Sequence, residues 1–364
     1  MERTLPRLQH NRRLATEGLV AGVDIGGTNQ TVALARLDGE VLATRRNRLL
    51  PGGTAADVIA AVLAMLNGVL DAVPPTAGRP GAEKLLRIGV GFGGPVDIEA
   101  GTVLTSHHVS GWDGFPLRRT LEESCRNAAT VIDNDANAAA LGEAHFGAGR
   151  GHRNILYVNV GTGIGAGLIL NGRLFHGQHG MAGEIGHVTV APDASDVPEG
   201  PELPGSPGPP WAGRDAPRCA CGKRGCLESV ASGRAIGQRA RAAAAADPAG
   251  AAGLLALAGG ETAQIDGPHV FAAAASGDPM AGRLVAETAA YLGLALGNAA
   301  NIVDPSVIVV GGGVGEAGEM LFGPLRAAVR RHLLPSMPPP EVVPAALGYD
   351  AGIAGALALA LDGI

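Results

Sequence analysis

Two carboxylates stand where an apolar run ends and a helical one begins. Val131-Ile132-Asp133-Asn134-Asp135 reads as a strand running into ANAAALGEAHFG, whose composition is helical. An acid at such a junction often does no more than cap the helix. A carboxylate there can also accept a proton from an attacking hydroxyl, the acid–base part that phosphoryl transfer requires. Asp133 and Asp135 bracket Asn134, and the turn out of the strand leaves one of the two facing a cleft. Asp135 is the candidate base, and Asn134 a candidate hydrogen-bonding partner for the substrate.

The second cluster is CACGKRGC, in which Cys219, Cys221 and Cys226 lie within eight residues. Tetrahedral zinc takes four Cys or His ligands, and turns containing Gly222 and Gly225 suit such close spacing. Cys125 is far upstream, so His187 in Gly183-Glu184-Ile185-Gly186-His187 is the natural fourth ligand. Reduced thiols without a metal are the alternative. Redox chemistry is disfavoured, because no isolated C-x-x-C stands on a βα turn.

Glycine supplies the third set. The chain has 57 glycines in 364 residues, about twice the usual share, and they cluster at strand ends. Gly26-Gly27-Thr28 lies between two strands, and so does the break that opens with Gly161. Gly311-Gly312-Gly313 follows a buried strand. Neither GxGxxG nor GxxxxGK[ST] is present, so these are not dinucleotide or P-loop fingerprints. A glycine at a hairpin tip still lets backbone N–H groups approach a phosphate, since no Cβ blocks the way. Thr28 adds a hydroxyl, and Asp24 is placed to position a metal ion or its waters. Three such sites are what a triphosphate nucleotide held between two domains needs.

The elements that carry these residues form a repeated pattern. LVAGVDI, QTVALARL and EVLATRRNRL read as strands, with a hairpin signal at Asp38-Gly39. ILYVNV, AGLIL and RLFHG repeat the order, with Asn171-Gly172 as the turn. The two glycine breaks start 135 residues apart, which suggests a duplicated strand–Gly-loop–strand unit, one per domain. Thr54 to Asp57 resembles a capping box before a helix that runs through Val69. Leu86–Gly91 and Ser306–Val310 read as buried strands. Residues 235–246, 280–302 and 351–361 read as helices. The domain expectation is a tail at 1–18, a small α/β domain at 19–132 completed by the helix 351–364, and a large α/β domain at 133–350. The stretch 191–218 is too rich in Pro and Gly for an element and reads as a surface excursion.

Composition removes several function classes. The formal net charge of −6 argues against nucleic-acid binding through bulk charge. Aromatics at 3% leave little for stacking grooves, and 46% hydrophobic residues provide ample core. The first residues lack an apolar signal region, and no apolar run reaches the ~18 residues of a membrane span. A soluble, cytoplasmic protein without a membrane partner is expected.

Together, DIGGTN, GVGFGGPVD, DNDANAAALGE, GTGIGAGLILNG, AGEIGH with CACGKRGCLE, DPSVIVVGGGV and DAGIAGA resemble the ROK family of sugar kinases and sugar-responsive repressors. The resemblance covers roughly residues 19–358, and its EIGH plus CxCGxxGCxE combination is highly specific. It implies an α/β, two-domain actin-like ATPase (ribonuclease H-like) fold with a cleft between domains. It further implies ATP-dependent phosphorylation of a hexose, usually at the 6-hydroxyl, with glucose the leading substrate and N-acetylmannosamine or N-acetylglucosamine the runner-up. Carried onto matching positions, Asp135 is the base, and Asn134, Glu184, His187 and Glu228 hydrogen-bond sugar hydroxyls. Gly93 and Gly94 approach the sugar through their backbone. Asp24, Gly26, Gly27, Thr28, Gly161, Thr162 and Gly163 hold the phosphates and Mg²⁺, while Gly311, Gly312 and Gly313 lie near the adenosine. His187, Cys219, Cys221 and Cys226 bind structural Zn²⁺, with the second His187 ring nitrogen left to face the sugar. A homodimer or homotetramer is implied as well.

Two positions depart from the family pattern. Gly93 replaces the usual proline of GxGxPGxVD, and His107-His108 stands where many glucokinases carry Pro-Asn. Two other classes compete with the kinase. A sugar-sensing repressor carries a helix-turn-helix module upstream, and only 23 residues precede Asp24. A sugar-binding protein without turnover does not need Asp135 together with both phosphate loops.

Overall fold

The computed structural model describes residues 18–50, 52–73, 84–106, 109–191 and 216–362. Residues 1–17 of the expected tail, the pair His107-His108 and most of the 191–218 stretch lie outside the described residues. Contacts divide the chain into two compact units: one holds the chain up to Tyr157, Gly167–Gly183 and the segment from Ala345, the other Val158–Ala166 and Glu184–Pro344.

The first unit contains a five-stranded sheet made of β1 (Leu19–Ile25), β2 (Asn29–Arg36), β3 (Val41–Arg48), β4 (Leu85–Phe92) and β7 (Ala129–Asn134), in the order β3-β2-β1-β4-β7; the short pair β5 (Val96–Asp97) and β6 (Thr102–Val103) and the helix α2 (Leu117–Ser124) lie between β4 and β7 in sequence. The first three strands form an antiparallel meander, and β4 and β7 add in parallel. β1 is covered on both faces, which is why LVAGVDI is apolar almost throughout rather than alternating. On one face Leu19, Ala21, Val23 and Ile25 share a core with Val58, Val62, Leu66 and Val69 of α1 (Ala55–Asp71) and with Trp112. On the other, Val20 meets Ile353, Leu357 and Leu361 of α11 (Ala351–Leu361). The capping box forms as its spacing predicts: the Thr54 N–H donates to Asp57 Oδ2 at 2.8 Å. The Asp38-Gly39 turn joins β2 to β3, with Gly39 at φ +85° and the Glu40 N–H donating to Asp38 Oδ1 at 3.0 Å.

Small residues let α11 lie unusually close to its neighbours. A Cβ at Gly355 would stand 1.7 Å from the Ala138 carbonyl oxygen of α3 (Asp135–Phe146), and one at Gly89 would stand 2.0 Å from that of Ala356. Side chains there would push α11 away from α3 and from β4. This packing fixes the first turn of α3, where Asp135 sits.

The second sheet is ordered β10-β9-β8-β11-β12, from β8 (Ile155–Val160), β9 (Ile164–Leu170), β10 (Arg173–Leu174), β11 (Val307–Gly311) and β12 (Glu341–Pro344). Its sequence order mirrors that of the first sheet, so the duplication legible in the glycine spacing is a duplication of sheet topology. Asn171 and Gly172 both have positive φ, +55° and +78°, as a type I′ hairpin requires. β10 is shorter than expected: its register ends at Leu174, the Phe175 N–H makes one more bond to the Leu168 carbonyl at 2.8 Å, and His176 and Gly177 lie in a loop.

In the second unit the 25-residue α8 (Pro279–Val303) is the central helix. Asp278 caps it, Pro279 occupies its first turn, and Asp304 ends it in the left-handed region at φ +46°. α7 (Gly267–Ala275) and α10 (Glu319–His332) pack along it, α6 (Ala252–Leu257) lies against α7, and the single turn α9 (Gly312–Gly315) follows β11.

The unit boundary falls elsewhere than residue 133. β7 ladders with β4 from Ala129 to Asn134, and α3 packs on α11, so residues 133–157 belong to the first unit.

Candidate active site and metal centre

In the first unit, strand ends and one helix start gather Asp24, Gly93, Gly94, Asn134 and Asp135. β7 delivers Asp133 into the interior, where it is 2% exposed, and leaves Asn134 and Asp135 partly exposed. The helix cap is Asn134, whose Oδ1 accepts from the Ala136 N–H at 2.9 Å, and Asp135 Oδ1 accepts from the same N–H at 2.8 Å. Asn134 Nδ2 also donates to the Gly94 carbonyl at 3.2 Å. A Cβ at Gly93 would stand 3.4 Å from Asp135 Oδ2, so the backbone of the GGPVD loop borders the candidate base. The Gly93 N–H donates to the Ile25 carbonyl at 2.8 Å, a bond that the family's usual proline lacks the hydrogen to make.

Asp24 lies at the end of β1 against the first turn of α11, its carboxyl 2.9 Å from where a Gly352 Cβ would be. Its pKa is pushed up to about 7, chiefly by burial and then by the charge of Asp135, with Arg46 working the other way. Arg46 is itself held by Asp350 at 2.5 Å. Two carboxylates that disfavour each other's charge make a setting that a divalent cation relieves, so these residues fit Mg²⁺. The raised pKa also has a stability consequence. An acid whose folded pKa exceeds its unfolded value keeps its proton longer in the native state, so the contribution of Asp24 to stability is full below pH ~4 and is lost as pH rises through ~7. The loss is of order 4 kcal/mol at most. Asp24→Asn is therefore expected to melt above the wild type at pH 8 without ligands, and to lose that advantage at pH 4. A melting difference that is the same at both pH values would contradict this.

The hairpin between β1 and β2 closes through the Gly26 N–H on the Asn29 carbonyl at 2.9 Å. In the second unit, the Gly161 N–H bonds the Gly163 carbonyl at the same distance. Both N–H groups thus shape their turns, and the tips are Gly27-Thr28 and Thr162-Gly163, with both threonines exposed. The second unit brings its two glycine runs together. A Cβ at Gly312 would stand 2.5 Å from the Val160 carbonyl oxygen, and Gly312 has φ +78°. The Gly161 carbonyl accepts from the Gly233 N–H at 2.8 Å, at the first turn of α5 (Gly233–Ala246). Gly233 was not singled out by the sequence, although Ser232-Gly233 is a readable helix start: the Ser232 hydroxyl accepts from the Ala235 N–H at 3.2 Å.

Ile164 joins this loop to the expected sugar ligands. Its N–H donates to Glu228 Oε2 at 2.9 Å, and Gly186 lies directly on its carbonyl. Gly186 belongs to the single 3₁₀ turn Ile185–His187 that presents Glu184 and His187, and Glu228 sits in the first turn of α4 (Leu227–Ala231). His187 Nε2 is 3.8 Å from Glu184 Oε2.

The four expected metal ligands converge. One donor atom each from His187, Cys219, Cys221 and Cys226 lies within 4.8 Å of the others. Cys219 Sγ to His187 Nδ1 and Cys221 Sγ to Cys226 Sγ are both 3.7 Å. Zn–S bonds near 2.3 Å place tetrahedral ligand atoms ~3.8 Å apart, so these two pairs have the spacing zinc demands. Burial and the neighbouring sulfurs push the Cys226 thiol up to about 12, whereas the Lys223 backbone N–H lowers Cys221. Gly225 allows the knuckle: at φ +67°, its Cβ would stand 1.7 Å from the Ala191 carbonyl oxygen.

Sequence reasoning passed over His176 and Glu143. His176 Nε2 bonds the buried Asp133 Oδ2 at 2.7 Å, and this bond raises the histidine pKa. Glu143 is wholly buried and accepts from the N–H groups of Ala148, Ala346 and Leu347 at 2.7, 3.1 and 2.8 Å, fixing the approach to α11.

This duplicated architecture is that of the two-domain actin-like ATPases. The ROK family profile matches residues 20–363, and the chain belongs to that family. It is 34% identical over 347 residues to a glucokinase of Streptomyces coelicolor, covering 95% of this chain and 98% of the relative. Identity to a Thermotoga maritima glucokinase is 36% over 341 residues, covering 93% and 96%. A crystal structure of a ROK family glucokinase from Streptomyces griseus, in complex with glucose and AMPPNP, matches with a TM-score of 0.74 at 36% identity, covering 95% of this chain and all of that one. Among the described residues, no helix is long and apolar enough to cross a membrane.

Proposed function

We propose that this chain is an ATP-dependent hexose kinase that transfers the γ-phosphoryl group to the 6-hydroxyl of glucose. The observation that carries the reading is the start of α3, where Asp135 and the capping Asn134 sit beside the Gly93-Gly94 backbone in a chain so similar to glucokinases. Asp135 takes the proton of the attacking hydroxyl, and Asn134 orients the sugar next to it. Gly93 and Gly94 approach the sugar through their backbone. Glu184, His187 and Glu228 hydrogen-bond its remaining hydroxyls. Glu228 has one oxygen on Ile164, which fixes the direction of the other. Gly27, Thr28, Thr162 and Gly163 face the phosphates on turns closed by Gly26 and Gly161, and Gly311, Gly312 and Gly313 border the adenosine. Asp24 would hold Mg²⁺, which would supply charge neutralisation for the transferring phosphates. His187, Cys219, Cys221 and Cys226 would hold zinc, which would fix the ring of His187 and so the sugar-facing set. A cytoplasmic homodimer or homotetramer completes the reading.

Phosphorus NMR of a reaction with Mg-ATP and glucose tests the reading. The expected product is glucose 6-phosphate with one ADP per sugar. Phosphate at another carbon, or ADP formed without a sugar ester, contradicts it.

A further inference from the structure

We propose that His176 is a positioning residue for sugar phosphorylation, locking the turn that carries Asn134 and Asp135 through the buried carboxylate of Asp133. This inference rests on the kinase reading above.

Asp133 is almost completely buried, and an ionised carboxylate in that setting needs a full complement of donors. Its Oδ1 accepts from the Asn134 N–H and from Asn137 Nδ2, both at 2.8 Å. Both of those donors are local to the strand–helix junction. The donor to Oδ2, His176 Nε2 at 2.7 Å, comes from 43 residues further along the chain.

His176 begins a loop that is shaped rather than loose. Its carbonyl accepts from the Ala182 N–H at 3.0 Å, closing residues 176–182 into a ring. Gly177, Gly180 and Gly183 have φ of +72°, +70° and +93°, conformations that side chains strain to adopt. The chain then continues directly into Glu184 and His187. One histidine thus tethers the segment that leads to the sugar ligands onto the floor beneath the catalytic turn. Asp133 in turn holds the Asn134 backbone, and Asn134 caps the helix on which Asp135 stands. Without His176, one oxygen of a buried carboxylate loses its partner. The remaining bonds then no longer fix the turn, and a displacement of ~1 Å at a reacting group can cost ~100-fold in rate.

The test is steady-state kinetics on purified full-length protein with Mg-ATP and glucose. His176→Ala is expected to lower kcat at least tenfold and to raise the glucose KM severalfold, with the ATP KM within twofold of wild type. His176→Gln, whose amide reaches Oδ2, is expected to recover most of both losses. His176→Asn, one methylene shorter, is expected to recover neither, and this pair decides the matter if the alanine variant does not fold. A purely structural histidine would lower the melting temperature and the active fraction while leaving the glucose KM unchanged, and that result overturns the proposal. So does equal behaviour of the Gln and Asn variants. Wild type that phosphorylates no hexose refutes the kinase reading and this inference with it. An active wild type with an unaffected His176→Ala variant refutes this inference alone.

Discussion

Asp135→Asn is expected to bind glucose with wild-type affinity and to turn it over about 1,000-fold more slowly, in the middle of the ~10²–10⁴ range for a lost general base. Asparagine keeps the shape of the side chain and an oxygen to accept from the Ala136 N–H, now bonded at 2.8 Å, so the start of α3 stays intact. What disappears is an oxygen basic enough to take the hydroxyl proton. The substitution also removes a charge that helps raise the Asp24 pKa, so that carboxyl is expected to titrate lower in the variant. Calorimetric glucose titration and single-turnover kinetics separate the two halves of the expectation. Turnover within tenfold of wild type would show that Asp135 is not the base.

The second large effect concerns the metal centre. The purified chain is expected to hold one zinc, and Cys226→Ser to lose it. Cys226 is wholly buried and serves as the residue that starts α4, which carries Glu228 two positions on. The same knuckle is stitched to the segment after His187: the N–H groups of Val190 and Ala191 both donate to the Gly225 carbonyl, and the Leu227 N–H donates to that of Val188. Structural zinc sites contribute ~10–16 kcal/mol of apparent binding energy, which is folding energy for the loops they close. Losing it frees Glu184, His187 and Glu228 together, all three of them proposed sugar ligands. The glucose KM is expected to rise at least tenfold and the melting temperature to fall, while the start of α3 and its base are untouched. Metal analysis alongside kinetics checks this. A zinc-free variant with the wild-type glucose KM and melting temperature would exclude the role.

Much of this was legible in the sequence where the determinants are local. The capping box at Thr54, the Asn171-Gly172 hairpin and the helix Ala351–Leu361 depend on a few adjacent residues, and the structure has all three. The duplicated sheets were announced by two glycine breaks at a fixed spacing. The cluster of three cysteines and one histidine was legible because the cysteines are sequence neighbours, and the structure brings His187 to them. Long-range partners were not legible. His176 is a single residue in RLFHG, and nothing near it in sequence announces a buried carboxylate on another strand. Glu143 sits on a helix of ordinary pattern, and its acceptor role depends on backbone that arrives 200 residues later. The boundary placed at residue 133 missed for the same reason, because strand β7 and helix α3 are assigned by what they pack on rather than by any break in the text. Gly26 and Gly161 carried the right signal for a tight turn, but that their own N–H groups close it is a property of the folded loop.

The most direct test is a coupled ADP-release assay with Mg-ATP across glucose, mannose, fructose, allose, N-acetylglucosamine and N-acetylmannosamine, run in parallel with Asp135→Asn. The highest kcat/KM is expected for glucose, with turnover of every accepted sugar about 1,000-fold slower in the variant. An N-acetylated sugar preferred over glucose would contradict the substrate, and silence on all six from a folded, zinc-loaded protein would contradict the kinase itself.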